Sequence, residues 1–294
     1  MSLNRPIWKL RDWIDIEKLD WMMLSYNKNA IQLLEENPEK INWEHLSENE
    51  NAIDLLKENQ GKINWDMFSF NKNGIKILED NKDNINWDYL SENDSAIRLL
   101  EENQGKINWK NLSNNPNAIN LIEKNMDKID WDYLSLNKNA IHLLEKYPEK
   151  INWENLSMNK NAINLLVKNP EKIDWKQLSG NDNVINLLDK NPEKINWDML
   201  SLNENAIHLL EKNPEKINWD YLVMNENAIE LIEANLDKID ISILSLNPSI
   251  FELDYEKMRI NNQEMYEDLI KEVMKPSRVF KNPEYDYLEE LFGD

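Results

Sequence analysis

The sequence predicts an all-α fold: an αα-solenoid, or superhelix, of ten to eleven 22-residue repeats with two short helices each. Two observations predict it. Tryptophan recurs every 22 residues from Trp21 to Trp219, ten times without insertion or deletion, and Ile241 takes the next position in phase. Within each unit the apolar residues follow helical spacing, as a stacked helical repeat requires.

The repeat unit has the consensus W-D-x-L-S-x-N-x-N-A-I-x-L-L-E-x-N-P-E-K-I-N. In the second unit, Asn42 is predicted to cap a first helix of little more than one turn, which ends near Ser47. Asn49 is predicted as a second N-cap, before an amphipathic helix over about residues 50–58. Asn59 is then the expected left-handed terminator of that helix.

Neither helix is long enough to be stable alone in water, so each unit must stack on its neighbours. We expect this stacking to bury the tryptophan of every unit, which would make the tryptophan ladder the largest stabilising element. Helix spacing of about 8–10 Å predicts an extended rod or superhelix on the order of 100 Å long.

The ends of the chain depart from the repeat. We predict an N-terminal cap over residues 1–20, in which Trp8 and Trp13 cover the first unit, and ten repeats over residues 21–240. Residues 241–294 are predicted to hold a degenerate repeat, a C-terminal capping helix and an acidic tail.

Two alternatives stay open. A 22-residue period also suits leucine-rich repeats, although the stretch from Ile53 to Asn59 places its asparagine one residue late and is rich in helix formers. After a helix predicted over about residues 255–274, the tail is either a cap folded back on the last repeat or a linear docking motif. The anchors of that motif would be Tyr285, Tyr287, Leu288, Leu291 and Phe292.

Charge and composition narrow the classes of partner. With 34 basic and 55 acidic side chains, the chain has a net charge of −21, which disfavours nucleic acid and anionic membranes. A basic protein or peptide is the favoured partner, unless the charge serves only solubility. The absence of cysteine excludes disulfides and thiolate chemistry. Because there is no signal peptide and no apolar run near the roughly 18 residues that span a bilayer, we expect a soluble, intracellular protein.

No catalytic, cofactor-binding or metal-binding constellation is evident. The three histidines, His45, His142 and His208, lie in units far apart, and no nucleophile, metal-hydrolase or phosphate-loop motif occurs. The in-phase serines, such as Ser47 and Ser69, are interpreted as structural caps between the helices. The sequence therefore predicts no enzyme activity.

Asparagines also recur in phase, as an unbroken ladder. Such amides could bind a peptide backbone, but more often they cap helix ends and satisfy orphan backbone groups. The ladder consists of Asn27, Asn49, Asn71, Asn93, Asn115, Asn137, Asn159, Asn181, Asn203, Asn225 and Asn247.

Variation between units indicates the surface where a partner could bind. The "mixed column", two residues after each tryptophan, combines aromatic, Met and amide side chains, which are typical of adaptable binding surfaces. The "polar column" lies eleven residues after each tryptophan, on the polar side of the second helix. From the mixed column we select His45, Met67, Tyr89, Tyr133, Met199 and Tyr221 as candidate partner-binding residues, and from the polar column Arg98, His142 and His208.

A third column, fifteen residues after each tryptophan, changes sign once along the chain. This "charge column" could orient a partner or promote self-association, although charge at a helix end is commonly only solvated. It consists of Glu36, Glu58, Asp80 and Glu102, followed by Lys124, Lys146, Lys168, Lys190 and Lys212.

The unit N-A-I-x-L-L-E-x-N-P-E-K-I-N-W-x-x-L-S-x-N resembles the short Trp/Asn repeats of uncharacterised proteins encoded by giant DNA viruses, mimivirus-like viruses included. Residues 248–255 and 275–278 are similar to the way such arrays end, and the resemblance covers about residues 21–280. Gly74, Tyr147 and Val223 depart from the unit, which predicts locally looser or specialised repeats.

The resemblance implies expression in an infected cell, in the host cytoplasm or a viral factory, and it supplies no catalytic or ligand residue. We expect a non-enzymatic scaffold that binds a host or viral protein as an adaptor or host-interaction protein. The alternative is a self-assembling structural or packaging component of a viral particle or factory.

Overall fold

The computed structural model describes residues 6–273, and it confirms the predicted all-α repeat solenoid. Each unit begins at its tryptophan and holds a first and a second helix. In chain order the pairs are α1 (Trp21–Tyr26) and α2 (Ile31–Glu36), α3 (Trp43–Glu48) and α4 (Ile53–Glu58), α5 (Trp65–Phe68) and α6 (Ile75–Asp80), α7 (Trp87–Glu92) and α8 (Ile97–Glu102), α9 (Trp109–Asn114) and α10 (Ile119–Glu123), α11 (Trp131–Leu136) and α12 (Ile141–Lys146), α13 (Trp153–Met158) and α14 (Ile163–Lys168), α15 (Trp175–Ser179) and α16 (Ile185–Asp189), α17 (Trp197–Leu202) and α18 (Ile207–Lys212), α19 (Trp219–Leu222) and α20 (Ile229–Glu233), with α21 (Ile241–Leu244) starting unit 11.

Short 3-10 turns join these helices. One kind follows the second helix, at Pro38–Lys40, Gln60–Lys62, Lys82–Asn84, Gln104–Lys106, Pro148–Lys150, Pro170–Lys172, Pro192–Lys194, Pro214–Lys216 and Leu236–Lys238. The other kind follows the ladder asparagine, at Glu50–Ala52, Lys72–Gly74, Asp182–Val184, Glu226–Ala228 and Pro248–Ile250. Ile16–Lys18 forms a further 3-10 turn before α1.

The caps of the second unit follow the prediction in part. The Asn42 side chain accepts a hydrogen bond from the backbone N–H of His45, as an N-cap does. Asn59 is not left-handed, since its φ is −127°. Its side-chain amide donates instead to the carbonyl of Leu55 at 2.9 Å, which satisfies a helix-end carbonyl without a positive φ.

The core consists of small and branched apolar residues rather than tryptophan. In the second unit, Leu46, Ala52 and Leu56 are fully buried. Trp43 is only half-buried, and the Lys62 amine lies 4.3 Å from its ring centroid. The expectation of a buried tryptophan ladder is therefore wrong: the rings cover the core at the surface and carry a lysine on their outer face. The same contact recurs over Trp21, Trp87, Trp109, Trp153, Trp175, Trp197 and Trp219.

Buried polar side chains connect each unit to the one before it. The Asn49 amide donates to the carbonyls of Ser25 and Asn27 at 3.1 and 3.0 Å, while its oxygen accepts from the N–H of Asn51. Ser47 donates to the carbonyl of Trp43 and accepts from the N–H of Asn64, the N-cap of α5, so it connects one first helix to the start of the next. The asparagine ladder is buried along its whole length, and it binds the scaffold's own backbone.

The array closes on itself. The Asn27 amide in unit 1 donates to the carbonyls of Ser245 and Asn247 at 2.9 and 3.1 Å, the same two bonds that Asn49 makes to unit 1. The backbone N–H of Asp20 binds the Ser245 hydroxyl at 2.8 Å, and the Asn29 amide binds the carbonyl of Pro248. Unit 11 therefore precedes unit 1 as any unit precedes the next. The prediction of an extended rod or superhelix on the order of 100 Å long is therefore wrong for residues 10–251, whose two ends meet.

Two distant segments together complete unit 11. Residues 241–250 supply its first helix and asparagine turn, and the backbone N–H of Arg11 binds the carbonyl of Ile250 at 2.9 Å. The 3-10 turn Ile16–Lys18 then takes the place that Pro38–Lys40 has in unit 1, and buried Leu19 takes the place of Ile41. Residues 10–251 thus form one closed ring of eleven units.

Residues 10–251 form one compact unit of the chain, and the described residues on either side of them, 6–9 and 252–273, belong to the other. The acidic tail predicted after residue 274 lies outside the described residues. Strands β1 (Trp8–Leu10) and β2 (Phe251–Leu253) pair, and the bond from the N–H of Asp254 to the carbonyl of Ile7 makes the pair antiparallel. Helix α22 (Tyr255–Val273) follows and leaves Ile260 and Ile270 exposed. No helix within residues 6–273 has both the length and the apolar character needed to cross a bilayer.

Candidate partner-binding surface

Five successive units share one concavity. A cavity of about 460 Å³ is lined by residues of units 3 to 7, from Lys72 to Lys160. The lining side chains come from the end of each first helix and from the residues beside the ladder asparagine. Side chains from five units converge only on the inner side of a curved array, so these positions face the inside of the ring.

An ion pair across the closure gives independent evidence. The Lys28 amine of unit 1 binds Glu226 of unit 10 at 2.9 Å, although unit 11 lies between them and has Pro248 at the same position. Side chains two units apart can meet only where the units are closely spaced. The first helices of successive units also pack directly on one another, as expected for the inner layer.

Two columns of varied residues therefore line the interior. The "inner apolar column", five residues after each in-phase Trp or Ile241, is Tyr26, Glu48, Phe70, Glu92, Asn114, Leu136, Met158, Gly180, Leu202, Met224 and Leu246. The "inner charged column", seven residues after it, is Lys28, Glu50, Lys72, Asp94, Pro116, Lys138, Lys160, Asp182, Glu204, Glu226 and Pro248. Sequence reasoning missed both columns, although their variation between units was a visible signal.

The inner apolar column leaves large apolar side chains in contact with solvent. Tyr26, Met158 and Met224 are about 44–45% exposed. In a chain whose other apolar residues mostly fill a core, exposed methionine and aromatic side chains on a concave face are typical of binding surfaces.

Carboxylates inside the ring form hydrogen bonds and ion pairs with side chains of neighbouring units, and two inner side chains have raised pKa values. Partial burial, followed by the hydrogen bond from its hydroxyl to Glu48 at 2.9 Å, raises the pKa of Tyr26 to about 12. Burial also raises the pKa of Glu92, which lines the cavity. The amines of Lys72 and Lys160 pair with Asp94 and Asp182 in the neighbouring units.

The predicted mixed column lies beside the inner apolar column. The His45 ring meets the edge of Tyr26 with centroids 6.4 Å apart, and Tyr89 stacks on Phe70 at 4.4 Å. The Lys110 amine lies 4.8 Å from the Tyr133 ring centroid. These contacts hold the side chains between units.

The other members of the mixed column differ in exposure. Met67 and Met199 are half-buried, whereas Tyr221 is 38% exposed and most accessible of the six. A partner-binding role for the mixed column stays a prediction.

The polar column lies on the exposed side of the second helices, away from the cavity. Arg98 contacts Glu79 of the preceding unit at 2.8 Å, and His142 contacts Glu123 at 2.9 Å. His208 is exposed as well. The structure does not bring Arg98, His142 and His208 together with the mixed column. The charge column is likewise exposed at the ends of the second helices.

The departures from the consensus have local explanations. In unit 3 the larger Phe68 replaces the core leucine, and a methyl group on Gly74 would lie 2.7 Å from its Cζ. Gly74 thus marks a specialised repeat, not a looser one. Tyr147 packs edge-on against Trp131 with centroids 5.3 Å apart, and Val223 is buried in place of serine.

Among the described residues, no three His, Asp or Glu side chains come together in a way that could hold a metal ion. Comparison with protein-family models, curated proteins and solved structures finds no match to this chain. The resemblance to giant-virus repeat proteins therefore stays a prediction.

Proposed function

We propose that this chain is a non-enzymatic scaffold that binds a protein partner inside its ring of repeats. The observation that carries the proposal is the contrast, within each unit, between buried residues that recur and solvent-exposed inner residues that vary. Leucine, alanine, serine and asparagine recur nearly unchanged and are buried, whereas the inner columns vary from unit to unit and contact solvent. Exposed outer positions vary as well, but only the inner columns combine this variation with a shared cavity and with exposed aromatic and methionine side chains, which is the setting of a binding surface.

The proposed role is that of an adaptor or host-interaction protein in an infected cell. This setting rests on the resemblance of the repeats to those of giant-virus proteins. The net charge of −21 favours a partner with a basic surface, since complementary charge accelerates encounter and disfavours other partners.

Affinity capture with the full chain tests the proposal. The bait is compared with an inner variant, Met158→Glu with Met224→Glu, and with an outer variant, Val167→Glu with Glu230→Lys, at about 0.1 M and 0.5 M salt. All four positions are exposed, so the changes leave the core intact. We expect one protein to be retained by the wild type and the outer variant and lost from the inner variant. Equal recovery with all three baits contradicts the proposal.

A second candidate function is self-assembly into a particle or factory component. The charge column favours it, because four acidic residues lie on one arc of the ring and five lysines on the next, all exposed. Light scattering at high protein concentration tests this candidate. Oligomers at low salt that dissolve at high salt support it, and a monomer under both conditions excludes it.

A further inference from the structure

We infer that the inside of the ring binds a basic amphipathic α-helix of a partner protein. This inference deepens the proposed function and rests on it. The argument uses the size of the opening, the distribution of apolar side chains around it, and the distribution of charge.

The opening fits one helix. First helices of neighbouring units pack directly on one another along most of the array. Packed helices lie about 8–10 Å apart, so eleven of them give a ring of helix axes about 30 Å across. Side chains on both sides reduce the free width to about 20 Å, and a helix with side chains is about 10–12 Å wide. A single helix can therefore enter and lie against one arc of the wall, while long side chains such as lysine extend towards the opposite arc. A folded domain is too wide to enter.

One arc of the interior is apolar. From unit 6 through unit 11 to unit 1, the inner apolar column reads Leu136, Met158, Gly180, Leu202, Met224, Leu246 and Tyr26. The inner charged column along the same arc carries three lysines and three carboxylates, so its net charge is zero. An apolar helix face could be buried against this arc without also burying an uncompensated net charge.

The opposite arc is acidic. Units 2 to 5 place Glu48, Glu50, Glu92 and Asp94 in the two inner columns against the single lysine Lys72, for a net charge of −3. Desolvation raises the pKa of Glu92, and a cation beside this carboxylate would favour its charged form. The two arcs together complement a helix that is apolar on one side and basic on the other.

A peptide titration against the full chain tests the inference. The probe is a fluorescein-labelled peptide of about 18 residues, with leucine on one helical face and lysine on the other. Its controls are a scrambled peptide of the same composition and an analogue with glutamate in place of lysine. Fluorescence anisotropy measures binding, and we expect the amphipathic basic peptide to bind at least about tenfold more tightly than either control.

Matched variants locate the binding site. Met224→Glu in the apolar arc and Glu48→Lys with Glu92→Lys in the acidic arc should each weaken binding by about tenfold or more. Val167→Glu and Glu230→Lys make the same chemical changes on second helices and should leave affinity within about twofold. Circular dichroism checks that every variant folds.

Equal binding of all three peptides, or equal affinity of the inner and outer variants for the peptide, overturns the inference. So does a dimer in light scattering that Met224→Glu dissociates, because that result assigns the interior to a second copy of the chain. If the peptide fails but the full chain still retains a protein that the inner variant loses, the proposed scaffold function stands and only the helical occupant is wrong. If both fail, the scaffold function fails as well.

Discussion

Closure of the ring makes Asn27 as important to stability as an asparagine in the middle of the array. Its amide donates to the buried carbonyls of Ser245 and Asn247, and Asn27 itself is 1% exposed. Asn27→Ala leaves the Ser245 carbonyl without this donor, at about 1–3 kcal/mol. It also removes one bond, of about 0.5–1.5 kcal/mol, from the Asn247 carbonyl, which still accepts from the N–H of Ile250 at 3.3 Å, so we expect a loss of about 1.5–4.5 kcal/mol. In an open rod the same change would remove only a local cap, at about 1 kcal/mol.

Urea unfolding followed by far-UV circular dichroism measures this difference. Asn137→Ala is the matched control, because Asn137 makes the same bonds in unit 6 and is equally buried. Gln32→Ala, on the surface of unit 1, should cost less than about 0.5 kcal/mol. If Asn27→Ala costs only about 1 kcal/mol, as loss of a local cap does, while Asn137→Ala shows the full loss, the array is open and the reasoning from closure is wrong. Hydrogen exchange gives a second readout, since in a ring unit 1 is protected as well as unit 6.

Three further predictions concern single contacts. Gly74→Ala should destabilise the fold by about 1–3 kcal/mol because the new methyl group meets Phe68. Phe68→Leu in the same chain should recover much of that loss. If the two substitutions have additive effects on the free energy of unfolding in urea, the packing argument is wrong. Asn84→Lys should place an amine over Trp65, which lacks the lysine contact seen on eight other tryptophans, and should add about 0.5–1 kcal/mol, whereas Asn84→Gln should not. The hydroxyl of Tyr26 should ionise near pH 12 in an ultraviolet titration. Because its pKa is raised in the folded state, the hydroxyl's contribution to stability is present below pH 10 and is lost as the pH rises to 12. Tyr26→Phe should remove this transition from the titration.

Much of the fold was predictable because the same pattern of apolar and capping residues occurs in every unit. The spacing of Trp, Leu, Ala and Asn predicts two short helices, their caps and their stacking, and a single unit such as residues 43–64 contains all of this information. The position of the tryptophan side chain was not predictable from the repeat, because an indole group at the surface and an indole group in the core recur with the same period. The lysine three residues before the next tryptophan was the available signal for the surface position.

Closure and the inner surface were not predictable, since both depend on the small rotation between units. A difference of a few degrees per unit separates a ring from an open superhelix, and no single residue determines it. Two signals were nevertheless present. Ser245 and Asn247 keep the ladder in phase after the tryptophan is lost, and Glu17, Lys18 and Leu19 repeat the turn before Trp21. They are needed only if a unit follows residue 250 and another precedes residue 21.

A closed circle also fixes how many repeats the chain can have. Eleven units complete one full turn, which corresponds to about 33° per unit. An open solenoid can gain or lose a repeat at its end and remain the same structure at a different length. Here one more or one fewer 22-residue unit would require every junction to change its angle by about 3°, or would separate residues 10–20 from residues 241–250. Duplication of a unit, the ordinary route by which repeat proteins grow, would therefore disrupt this molecule unless all eleven junctions changed together.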